Sequence, residues 1–103
     1  MATTSELLTT AIEHVDNNII TRAALPIAAH NLIMNAYNVL IDMQEDGLSV
    51  EDADEQITEA LDAITDYVNR ADTPESVGES IWTICKPVNE LMHHLNYVQA
   101  YGE

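Results

Sequence analysis

The chain has 103 residues, 47% of them apolar, and a formal charge of -15 set by 18 acidic residues against three basic ones. That length holds one modest core, so residues 1–103 are read as a single domain, and the apolar share excludes wholesale disorder. The negative charge repels phosphates and anionic lipid headgroups, which excludes direct binding to DNA, RNA or a membrane surface.

Helical periodicity runs through the whole chain, and no segment alternates as a strand does. Leu8, Ile12, Val15 and Ile19 recur at helical steps behind Thr-Thr-Ser-Glu, where Thr3 and Glu6 have capping-box spacing. This predicts a helix over about Thr4–Asn18, closed by a turn at Asn17 and Asn18.

The second helix is expected over about Ala23–Glu45, with Pro26 in its first turn, where a missing amide hydrogen costs nothing. It is apolar over most of its circumference. Leu25, Ala29, Leu32, Ala36, Val39 and Met43 lie on one line, with Ile33, Met34, Tyr37, Leu40 and Ile41 beside them. Only Asn31, Asn35, Asn38 and Asp42 make a polar stripe, which places this helix centrally or under a second subunit. Gly47 suits the position that stops it.

Ser49, with Asp52 three residues on, reads as the cap of a third helix over about Val50–Ala71. Val50, Ala53, Ile57, Leu61, Ile64 and Val68 form its buried stripe. Ala-Asp-Thr-Pro-Glu-Ser then makes a turn, with Thr73 as N-cap and Pro74 at the first helical position. The last helix, about Pro74–Tyr101, carries Val77, Ile81, Ile84, Val88, Leu91, Leu95 and Val98 in steps of four and three. Pro87 falls inside that series, yet the apolar phase is the same on both sides. One helix kinked at Pro87 is therefore expected, ahead of two helices joined at Lys86. The fold class that follows is all-α, an antiparallel four-helix bundle or a related helical arrangement.

Residues 42–79 hold thirteen of the acids against the single Arg70. Within them Glu51, Glu55, Glu59, Asp62 and Asp66 form one row opposite the buried stripe, broadened by Asp52 and Asp54. At ~1.5 Å rise per residue the row is about 22 Å long, with neighbours about 5–6 Å apart. The helix dipole accounts for the acids of the first turn and disfavours Asp62 and Asp66 near the other end. Four like-charge neighbours cost about 1–2 kcal/mol, a noticeable part of the ~5–15 kcal/mol that holds a domain together. A solvated face on a soluble bundle is the plainer account of such a row. The sharper one is a docking surface for a basic, nucleic-acid-binding protein, with Glu51, Asp52, Glu55, Glu59, Asp62 and Asp66 accepting its lysines and arginines. That is the logic of a DNA mimic, an inhibitor strategy of phage and mobile elements.

Other chemistries lack their residues. Asp42, Gln44, Asp46 and Gly47 match the start of a calcium loop, but Ala53 stands where a bidentate Glu is required. Glu90 and His93 have the spacing of a di-iron pair without a second pair. His14, His30, His93 and His94 have no partners at ligand spacing, so no metal or other cofactor is expected. Three scattered glycines make no phosphate loop, and Cys85 lies near the apolar stripe as an inert thiol, so no enzyme is expected. One unpaired cysteine suits a reducing cytoplasm, and the N-terminus lacks the pattern of a secretory signal. Trp82, Tyr97 and Tyr101 with the apolar arc of the second helix favour a homodimer over a monomer. They are also the interface of the alternative reading, a non-inhibitory helical adaptor or dimerisation module.

Overall fold

The computed structural model describes residues 3–21 and 25–102. Among these there are four helices and no strand: α1 (Thr4–Thr21), α2 (Ile27–Glu45), α3 (Val50–Val68) and α4 (Glu75–Tyr101). Ala23 and Ala24, placed by sequence at the start of the second helix, lie outside the described residues, as does Arg22.

The first cap forms as expected. The Glu6 amide donates to Thr3 Oγ1 at 3.2 Å, which satisfies one of the N–H groups that a helix start leaves open. The helix then runs past the turn expected at Asn18. The reason is local: the Asn18 side-chain amide donates to the His14 carbonyl one turn back at 2.7 Å, a contact made within a continuing helix. Leu8, Ala11 and Val15 are buried, with Ile12 and Ile19 packed beside them.

α2 starts later than expected. Pro26, at φ -56 and ψ 149, is its N-cap and not its first turn: the ring fixes φ but leaves ψ free, and here ψ is extended, so helical backbone begins at Ile27. Ala29, Ile33, Ala36, Val39 and Leu40 are buried, whereas Asn31, Asn35, Asn38 and Asp42 are exposed. Gly47 follows the C-cap Asp46 with φ 69, a left-handed conformation that glycine adopts without steric cost.

Ser49 caps α3, its side chain accepting from the Asp52 amide at 3.2 Å. The helix ends at Val68, three residues short of expectation. Its terminal carbonyls are drawn into the turn, where the Tyr67 oxygen accepts from both the Arg70 amide at 3.3 Å and Thr73 Oγ1 at 2.7 Å. Thr73 therefore closes α3 and does not cap α4; Pro74, with ψ 141, is the N-cap of α4.

α4 is one helix of 27 residues with Pro87 inside it, and not two helices joined at Lys86. A proline removes the amide that would bond the carbonyl four residues back, here that of Thr83. His14 of α1 supplies the missing donor, its Nε2–H reaching the Thr83 oxygen at 2.9 Å. A second tie joins Thr4 Oγ1 and His94 Nε2 at 3.0 Å. Because Thr4 lies level with His94 and His14 with Thr83, α1 and α4 run antiparallel.

α1 packs on α2 and α4, α3 packs on the same two, and α2 meets α4 across the centre. The arrangement is bundle-like, with extents of 41 × 24 × 24 Å. Buried residues of all four helices form one apolar cluster with no buried polar residue among those described. Each fully buried Ile or Leu contributes about 1.5–3 kcal/mol of transfer free energy, so this cluster far outweighs the caps in holding the helices together. Among the described residues no helix is long and apolar enough to cross a membrane.

Candidate functional site

α3 presents its two faces cleanly. Ala53, Ile57, Leu61 and Ile64 are buried on one side, and Glu51, Asp52, Glu55, Glu59, Asp62 and Asp66 are all exposed on the other. The helix contains no Lys or Arg, so within α3 no carboxylate has a cation one turn away; Arg70, four residues after Asp66, lies beyond its end. Two cations stand among the described residues. Arg70 lies just past the end of α3 with its guanidinium 5.6 Å from the Tyr67 ring centre, and Lys86 is exposed on α4. Glu51 and Asp52 face the positive end of the helix dipole, and Asp66 the negative end.

One acid of the same stretch is diverted. Asp54 is only partly exposed, and its carboxylate accepts Gln99 Nε2 at 2.6 Å and Thr58 Oγ1 at 3.4 Å. It joins the start of α3 to the end of α4 and so has a structural duty that its five-residue spacing from Glu59 could not reveal.

The remaining chemistry-bearing residues are spread out. Cys85 is buried, and loss of solvent around it pushes its thiol up to about 12, so it is protonated at neutral pH. His30 and His93 are exposed, while His14 and His94 serve the contacts between α1 and α4. Among the described residues no group of three or more His, Cys, Asp or Glu side chains is arranged to hold a metal ion.

Tyr97 and Tyr101 stack one turn apart, their ring centres 5.1 Å from each other and tilted by 44°. They are 46% and 79% exposed, on the solvent face of α4. Trp82 differs: it is half-buried, packed on the core edge, and lines a groove of about 940 Å³ beside Val68 and Pro74. Sequence reasoning left this groove out, because its two walls come from separate elements. Proline at 74 and a tryptophan eight residues later were its only signal.

Comparison with protein families, curated proteins and solved structures finds no match for this chain.

Proposed function

We propose that this protein binds a basic, nucleic-acid-binding protein through the carboxylate row of α3 and inhibits it by filling the surface that otherwise holds DNA or RNA. The observation that carries the reading is the exposure of Glu51, Asp52, Glu55, Glu59, Asp62 and Asp66 on one side of a helix that has no cation. A regular line of carboxylates resembles a run of strand phosphates in charge and spacing, and partner lysines and arginines would pair with it as they pair with phosphate. The action is occlusion, a DNA mimicry of the phage or mobile-element kind, with no bond made or broken. A reducing cytoplasm is its proposed setting, where the single Cys85 stays a thiol.

The test begins with a partner recovered at low salt and its own nucleic acid as competitor. Binding should weaken steeply with ionic strength, and replacing Glu55, Glu59 and Asp62 together with Lys should abolish it. Affinity indifferent to salt, or a ternary complex that still holds the nucleic acid, would sink the proposal.

A second reading, a helical adaptor or homodimer that joins through α2 and α4, is favoured by a different observation: Ile27 is 80% exposed and Tyr101 79%. Under it the triple Lys variant keeps its partner, and Ile27→Glu with Tyr101→Glu gives a smaller species in sedimentation. The proposal extends to a bend of α4 at Pro87, which sets the Trp82 end at an angle to the Tyr97 end. Residual dipolar couplings measure that angle, and a single axis for both halves would remove it.

A further inference from the structure

The groove beside Trp82 has a polarity that fits one kind of side chain. Its apolar floor is made by Val68, Pro74 and the half-buried indole of Trp82. Along α4, Glu75, Glu79, Trp82 and Lys86 follow at steps of four, three and four, so they share one face of the helix. Two exposed carboxylates thus stand at one end, the indole at the middle and an ammonium at the other end.

We infer that this groove seats an arginine side chain of the basic partner, with its aliphatic stem on Pro74 and Val68 and its guanidinium between the Trp82 ring and the carboxylates of Glu75 and Glu79. The inference rests on the reading that the partner is basic, and it adds an anchoring position away from the α3 row. Charge complementarity chooses the occupant. An anion would meet Glu75 and Glu79, and a purely apolar side chain would bury against them unpaired carboxylates that it cannot satisfy. A guanidinium satisfies them and also gains the attraction of the indole face, for which tryptophan is the best of the aromatic rings. Lys86 repels a cation at the far end and so fixes which way the side chain points. Lysine, lacking the planar fork, fits the same place less well.

Trp82 is the single tryptophan of the chain, so all tryptophan emission arises at this groove. The probe is the blocked peptide acetyl-(Gly-Arg)3-amide at low ionic strength, followed by Trp82 emission and, in parallel, by calorimetry. The expected result is a saturable change in emission, weakened about fivefold or more by Glu75→Gln with Glu79→Gln, or by citrulline in place of arginine. Both glutamates are exposed, so the double variant retains its core. Heat of binding without an emission change would place the peptide elsewhere and overturn the inference. So would no binding by either measure, or an emission change that citrulline or the double Gln variant leaves intact. The α3 reading fails separately: if Glu55, Glu59 and Asp62 changed to Lys leave partner binding unaltered while the peptide still reaches Trp82, the row is wrong and the groove stands.

Discussion

Cys85 and Gly78 show how far single side chains are committed to packing. The thiol of Cys85 ionises in the folded chain only near 12, against about 8.5 in an unfolded one. Below the unfolded value both states hold the proton, and the group has no effect on stability. Above it the unfolded chain loses the proton first, so stability falls by about 1.4 kcal/mol per pH unit until the folded thiol ionises too. Urea titrations between about pH 9 and 11 should therefore show a shallower alkaline loss in Cys85→Ala than in the parent. Equal slopes would mean that the thiol is not shielded. Gly78 is buried where α4 approaches α3 so closely that an added Cβ would stand 2.9 Å from Val68 Cγ1. Alanine at this helical position would gain up to about 1 kcal/mol in propensity, but Val68 is stiff and cannot swing aside. Gly78→Ala is expected to destabilise by about 1–2 kcal/mol, and Val68→Ala in the same chain to recover part of it, which thermal unfolding of the three variants would reveal.

At the scale of elements, the helices were legible because their cause is local. Apolar steps of three and four set the buried stripes, and Thr3, Ser49 and Gly47 mark two starts and one stop. Boundaries failed where a side chain made a contact that periodicity does not encode: Asn18 bonding within α1, and Thr73 turning back to α3. Pro87 is the clearest case. The carbonyl it leaves without an amide inside the unbroken α4, that of Thr83, accepts from His14, 69 positions away in the chain. Removing the imidazole with His14→Ala should cost about 0.5–1.5 kcal/mol, and less in Pro87→Ala, whose restored amide reaches the same oxygen. A double-mutant cycle on thermal stability measures that coupling; additive losses would mean that His14 and Pro87 are unrelated.

For the molecule as a whole, the charge is the dominant fact. The chain's net -15 is self-repulsive, most of it in residues 42–79, where thirteen acids face only Arg70, so the thermal midpoint should rise as sodium chloride increases from about 0.02 to 0.5 M. Glu59→Lys puts a cation one turn from Glu55 and from Asp62, and should raise stability by about 0.5–1 kcal/mol while weakening a basic partner. Stability and binding moving in opposite directions would mark a row kept for docking. Loss of stability on the same change would mean that the carboxylates hold the fold. The amino-acid sequence by itself determined the helical class, the apolar faces and the acidic row, because all three follow from spacings within a few turns of one helix. Only the tertiary structure decided that Asp54 leaves the row for Gln99, that His14 completes α4, and that Trp82 walls a groove with Pro74 and Val68. Those contacts form between separate elements, and their geometry is set by how four helices pack once their apolar faces leave water.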